Sequence, residues 1–193
     1  MLVFRIGGTR CTLTFGFAAA VCAVFIFGEN GAAGTVLGCI LWHELGHLVV
    51  LRFFHTPPEC LRMTFFGLEL AVPAQRSYRR EAAVSLGGPA ANLLAAALLW
   101  CTPLRRAAGL HLLLGLFHLL PVLPMDGGQA LQSLLCLRLS PRQAGRVAVG
   151  VSAAVLLPLG TLGFWLLLQA SPNITLLALC LYLLFYLVFG IRE

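Results

Sequence analysis

The stretch "LWHELGHLVV" at residues 41–50 places two histidines and a glutamate inside an otherwise apolar run. His43 and His47 are four residues apart, so on an α-helix they share one face, with Glu44 beside them. Each ionisable group inside a membrane helix costs about 2.5–3.5 kcal/mol on insertion scales unless a partner satisfies it. The three groups therefore need either a metal ion or hydrogen bonds to one another and to neighbouring helices.

The H-E-x-x-H spacing suits two imidazoles that bind one zinc ion, with Glu44 placed to accept a proton from a zinc-bound water. Catalytic zinc takes three protein ligands and keeps one position for water. Asp126, the only aspartate in the chain, is the candidate third ligand. Counted by helical rise from the cytoplasmic end of the apolar run that contains it, the histidine pair lies roughly 12 Å deep in the membrane. Asp126 lies roughly 16 Å from the cytoplasmic end of its own run, so the three side chains can share one depth.

The composition predicts a multi-pass membrane protein. Hydrophobic residues make up 60% of the chain and charged residues 10%, and the mean hydropathy is +0.93. The net charge of +6 comes from arginine without lysine, which favours membrane topology and lipid headgroups over nucleic acid as its cause. Most of the arginines fall on one side if the N-terminus is cytoplasmic, so we expect a cell-membrane protein with both termini in the cytoplasm.

Apolar runs predict six transmembrane helices, of which the first could instead be a cleaved signal peptide. The runs cover about residues 12–28, 32–54, 80–101, 108–137, 144–168 and 174–190. The fourth run is too long for one straight span and contains Pro121 and Pro124, so we predict a broken helix that lines an interior site.

The connection between the second and third runs contains "CLRMTFFGLELAVP", which predicts one or two short strands around Gly67 or an interfacial loop. The predicted fold class is therefore an all-α polytopic membrane protein with about six transmembrane helices. It has a short membrane-associated β-strand region between helices 2 and 3 and a broken helix 4. We expect a single domain over residues 1–193.

Three motifs resemble the site-2 protease family of intramembrane zinc metalloproteases, and within it a minimal bacterial branch similar to the sporulation-factor proteases. The motifs are "HELGH" at 43–47, "GGPAAN" at 87–92 and "LLPVLPMDGG" at 119–128. The resemblance implies one Zn²⁺ ion held by His43, His47 and Asp126, with Glu44 as the general base. It also implies that "FFGLEL" lies in a membrane-embedded strand region near the substrate.

Asn92, His118, Phe66 and Gly67 are candidate substrate contacts, Asn92 because polar groups inside a membrane often have a function. For Asn92, hydrogen bonding between helices is the alternative role. His118 departs from the family pattern N-x-x-P-x-x-P-x-D-G, which begins with asparagine. A histidine there can still donate to a substrate carbonyl, but it could also bind metal. We interpret His111 as an interfacial histidine without a function.

These features predict an intramembrane zinc endopeptidase that cleaves a membrane-associated or membrane-tethered regulatory protein, in regulated intramembrane proteolysis. One alternative is a metal transporter or channel that uses the same His/Asp site, and another is an inactive relative that binds a partner. Glu44 separates hydrolysis from transport, because coordination alone needs no proton acceptor beside the metal. The expected partners are a membrane-associated protein substrate and the lipid bilayer.

Overall fold

The computed structural model describes residues 2–6, 9–13, 32–56, 60–64, 67–71, 77–169 and 174–189. The chain divides into two compact units, Met1–Phe117 and His118–Glu193. The expected single domain over residues 1–193 stays a prediction.

The first unit contains a four-stranded sheet with the strand order β1-β2-β3-β4. The hairpins β1–β2 and β3–β4 are antiparallel, and β2 pairs with β3 in parallel. The strands are β1 (Leu2–Ile6), β2 (Thr9–Leu13), β3 (Cys60–Thr64) and β4 (Gly67–Ala71). The chain is therefore not all-α, because a sheet accompanies its helices.

Strands β3 and β4 lie in the segment where the sequence predicts one or two strands, whereas β1 and β2 were not predicted. The first predicted helix, residues 12–28, begins inside β2, and residues 14–28 lie outside the described part of the chain. The sequence does carry a signal for the missed hairpin, because a Gly-Gly pair separates "LVFRI" from "TRCTL".

Three helices follow in the first unit: α1 (Ala32–Phe53), α2 (Tyr78–Leu99) and α3 (Arg105–His118), whose last residue belongs to the second unit. The first two confirm the predicted helices at 32–54 and 80–101 to within two residues at each end. Helices α1 and α2 pack against each other and meet at Gly46 and Gly87. A Cβ atom on Gly87 would lie 2.9 Å from the carbonyl oxygen of Gly46, so glycine is required for this approach.

The second unit contains α4 (Asp126–Leu135), α5 (Pro141–Leu167) and α6 (Thr175–Phe189). The predicted break in the run at 108–137 is confirmed, because residues 119–125 between α3 and α4 are not helical. Helix α5 begins with a capping box between Ser140 and Gln143 and has Pro141 at its first position. The core of this unit joins four buried side chains, those of Val122, Leu156, Cys180 and Leu183.

Within the described residues, three helices are long and apolar enough to cross a membrane: Gly34–Phe53, Tyr78–Leu99 and Pro141–Leu167. A shorter apolar helix covers Thr175–Val188. Large apolar side chains on these helices point outward, as Val49 does at 66% exposure. Such surfaces suit lipid better than water, and they indicate a membrane protein. The number of spans and the orientation of the termini stay predictions.

Candidate metal centre

His43 and His47 lie on one face of α1, as their spacing predicts. Both side chains are buried, and their Nε2 atoms lie 3.2 Å apart. Glu44, the next residue along the helix, is half-buried. Helix α1 thus brings two imidazole nitrogens together in an apolar environment, with a carboxylate close by in the sequence.

The tautomer of His47 follows from its partner on α2. Nδ1 of His47 lies 2.7 Å from the backbone carbonyl oxygen of Val84. A carbonyl oxygen only accepts hydrogen bonds, so Nδ1 must carry the proton and donate it. In a neutral imidazole this leaves a lone pair on Nε2, which is the form that binds a metal ion.

His43 is held by Asn92, which lies on α2. The Asn92 amide Nδ2 lies 3.0 Å from His43 Nδ1, and Asn92 is completely buried. The amide oxygen Oδ1 lies 2.9 Å from Nδ1 of His111 on α3. The hydrogen-bonding role considered for Asn92 therefore accounts for both ends of its side chain, and a substrate contact by Asn92 stays a prediction.

His111 is the residue whose role the sequence interpretation missed. It is buried, at 8% exposure, and bonded to Asn92, a contact that the sequence interpretation did not include. Its position at the membrane interface stays a prediction. The available signal was an ionisable side chain within an apolar run, which is a sign of function by default. Gly115, one turn later on α3, brings this helix close to α2, since its Cβ would lie 3.3 Å from that of Asn92.

Gly88 on α2 keeps the space beside the two Nε2 atoms open. A Cβ atom at this position would lie 2.6 Å from Nε2 of His43 and still closer to Nε2 of His47. Two converging imidazole nitrogens, one of them fixed in the metal-binding tautomer, are typical zinc donors. The residues of the first unit therefore fit a zinc ion.

In the second unit, Asp126 is the first residue of α4 and interacts with His118. Nδ1 of His118 lies 2.8 Å from the carboxylate oxygen Oδ2 of Asp126, and both side chains are partly exposed. The next residue, Gly127, faces the backbone of Leu119, since a Cβ there would meet the Leu119 carbonyl oxygen. Glycine thus allows the preceding turn to fold back over the start of α4.

The remaining predicted substrate contacts are only partly described. Gly67 begins strand β4, and Phe66 lies outside the described residues. The proposed donation by His118 to a substrate carbonyl stays a prediction, and the structure adds a partner for that histidine in Asp126.

Sequence comparison finds a similar curated protein, "Putative zinc metalloprotease Rip3" of Mycobacterium tuberculosis, in the strains H37Rv and Erdman. The match is 30% identical over 173 residues and covers 77% of this chain and 42% of the relative. The chain thus spans less than half the length of the curated relatives that it matches. No protein-family model matches the chain.

Structure comparison finds the site-2 protease from Methanocaldococcus jannaschii. The TM-score is 0.71 at 20% sequence identity, and the match covers 97% of this chain and 93% of that protein. At this identity the likeness shows a shared fold.

Proposed function

We propose that this chain belongs to the site-2 protease family, an assignment that the sequence match and the fold both support. From this premise, we propose that it is an intramembrane zinc endopeptidase. The observation that carries the proposal is the buried His43–His47 pair, whose Nε2 atoms converge while Val84 fixes the tautomer of His47. Ionisable side chains that converge inside an apolar helix are functional-site candidates, and paired imidazole nitrogens are typical zinc donors.

We propose that His43, His47 and Asp126 hold one Zn²⁺ ion. Each of the three residues offers one ligand atom, and as a set they could bind a metal. Two imidazoles and a carboxylate are a donor set that catalytic zinc sites use. The His118 side chain supports the role of Asp126, because its Nδ1 donates to one carboxylate oxygen and so orients the carboxylate.

A zinc ion held by these residues would polarise a water molecule and make it easier to deprotonate, so that it could act as the nucleophile. Glu44, next to His43 on α1, would accept a proton from the attacking water and pass it to the leaving amine. The other residues of the site orient these groups. Val84 and Asn92 hold the two imidazoles, and Gly88 leaves room beside them.

The substrate in this proposal is a membrane-associated or membrane-tethered regulatory protein, cleaved at the cell membrane. A peptide bond must leave its helix before it can be attacked, and its backbone groups then need partners inside the lipid. Strand β4 is an edge of the described sheet and could pair with an extended segment of the substrate. A multi-pass orientation with both termini in the cytoplasm is part of the proposal, because it would place most of the arginines on the cytoplasmic side.

A membrane-reporter cleavage assay with the Glu44→Gln variant tests the proposal. This change removes the proton acceptor but keeps the size of the side chain, so we expect no cleavage while one zinc ion per chain remains bound. Glu81→Gln is the matched control, because it makes the same chemical change in the first turn of α2. Cleavage that persists in Glu44→Gln would rule out the mechanism.

The same protein in zinc-loaded liposomes tests the transport alternative. We expect no zinc flux across the bilayer from either the wild type or Glu44→Gln. Zinc flux without proteolysis by the wild type would favour a transporter.

A further inference from the structure

His43, Asn92 and His111 form a continuous hydrogen-bond chain across α1, α2 and α3. The two links measure 3.0 Å and 2.9 Å, and all three side chains are buried, with Asn92 fully enclosed. The chain lies within the first unit and begins at a histidine with a proposed role in zinc binding. The inference below therefore rests on the proposed function.

The donor and the acceptor of each hydrogen bond follow from which ring nitrogens carry a proton. Nε2 of His47 carries a lone pair when that imidazole is neutral, because its Nδ1 proton goes to Val84. A hydrogen bond across the 3.2 Å gap then requires the proton on Nε2 of His43, so His43 Nδ1 is an acceptor. The Asn92 amide NH₂ donates to it, and the Asn92 carbonyl oxygen accepts from Nδ1–H of His111.

Zinc binding demands the opposite arrangement. Ligation through Nε2 of His43 needs a lone pair there, which moves the proton of the neutral ring to Nδ1. Asn92 must then present its carbonyl oxygen to His43, which a half-turn of the amide group achieves with little displacement of its atoms. Its NH₂ group now points at His111, whose Nδ1 must become an acceptor.

We propose that zinc loading reverses this hydrogen-bond chain, so that Asn92 and His111 are positioning residues that set the tautomer of His43. His111 carries its proton on Nδ1 in the zinc-free protein and on Nε2 in the zinc-loaded protein. The protons balance, because each imidazole keeps one proton and only its place on the ring changes. Hydrogen-bond partners of metal-ligating histidines act in this way by fixing ring orientation and basicity.

The test is nuclear magnetic resonance of the ¹⁵N-histidine-labelled full chain in detergent micelles. Two-bond ¹H–¹⁵N correlations identify the protonated nitrogen of each imidazole, first after treatment with a chelator and then with one equivalent of zinc. We expect His111 to switch from Nδ1–H to Nε2–H and His47 to stay Nδ1–H. The exposed His55 is the internal control and should not change.

The outcomes separate this inference from the proposed function. Zinc-induced shifts at His43 and His47 with an unchanged His111 tautomer would overturn the inference alone. Failure of zinc to perturb His43 and His47 would overturn both.

Substitutions at His111 give a second measurement. A glutamine amide can donate or accept, so we expect His111→Gln to bind zinc about as tightly as the wild type, whereas His111→Leu should bind roughly tenfold more weakly. Affinity is measured by competition with a chromophoric chelator, with His55→Leu as the control. Equal affinities for the glutamine and leucine variants would contradict the role of His111 as a hydrogen-bonding group.

Discussion

Nδ1 of His118 donates a hydrogen bond of 2.8 Å to Oδ2 of Asp126. This contact fixes the carboxylate at the start of α4, and a fixed ligand loses less freedom when it binds a metal. Removal of the donor by His118→Ala should weaken zinc binding roughly tenfold. His118→Asn, which restores an N–H donor, should recover much of the loss in a chelator-competition assay. If the His118→Ala and His118→Asn variants bind zinc equally well, the hydrogen bond between His118 and Asp126 has no role in the site.

Gly88→Ala should abolish tight zinc binding, because the added methyl group would lie 2.6 Å from Nε2 of His43. Real Cβ atoms do not approach other atoms so closely, so an imidazole must move away. Gly109→Ala on α3 is the control, since nothing lies within 4 Å of its added carbon. Zinc titration should show at least about a tenfold loss for the first variant and none for the second. Wild-type affinity in Gly88→Ala would contradict this geometry.

Ser152→Ala should destabilise the second unit. The Ser152 hydroxyl accepts from the backbone N–H of Leu123 over 2.9 Å and donates to the carbonyl of Ala148. Its loss leaves a buried N–H without its partner, which lowers the free energy of unfolding by about 1–3 kcal/mol. Thr161→Ala on the same helix removes an exposed hydroxyl and should change the free energy of unfolding by less than about 0.5 kcal/mol. Denaturant unfolding in micelles compares the two, and equal effects would show that the Leu123 bond is not important.

Leu68→Pro should impair cleavage more than zinc binding. Leu68 lies in β4, opposite Met63 of β3, and proline removes a backbone donor from this edge strand. Leu68→Thr keeps the backbone donor and a residue that favours strands, so it should cleave like the wild type. Cleavage rate and zinc content are measured on the same preparations. Equal loss of both in the proline variant would count against pairing with the substrate.

The sequence predicted the helices of the two units well, because apolar length is a local property. The run at 32–54 became α1 with little change, and the helix break appeared where Pro121 and Pro124 interrupt the fourth run. The hairpin β1–β2 was missed since an adjoining apolar run dominated the interpretation, although "IGGT" is a turn signal.

The histidine pair could be predicted because its spacing matches one helical turn. The contact between Asn92 and His111 could not be predicted from the sequence, because it joins two different helices and depends on how closely they pack at Gly115. His118 illustrates the same limit. Its spacing of eight residues from Asp126 gives no contact along a regular helix, and only the turn between α3 and α4 brings the two side chains together.

Helices α1 and α2 approach each other closely, main chain to main chain, at Gly46 and Gly87. This close contact resists sliding of one helix along the other, because sliding would drive backbone atoms into each other. The imidazoles on one helix and the amide on the other therefore keep their spacing while neighbouring parts of the protein shift. In the proposed protease, a movement that admits a polypeptide substrate would then come from residues outside these two helices.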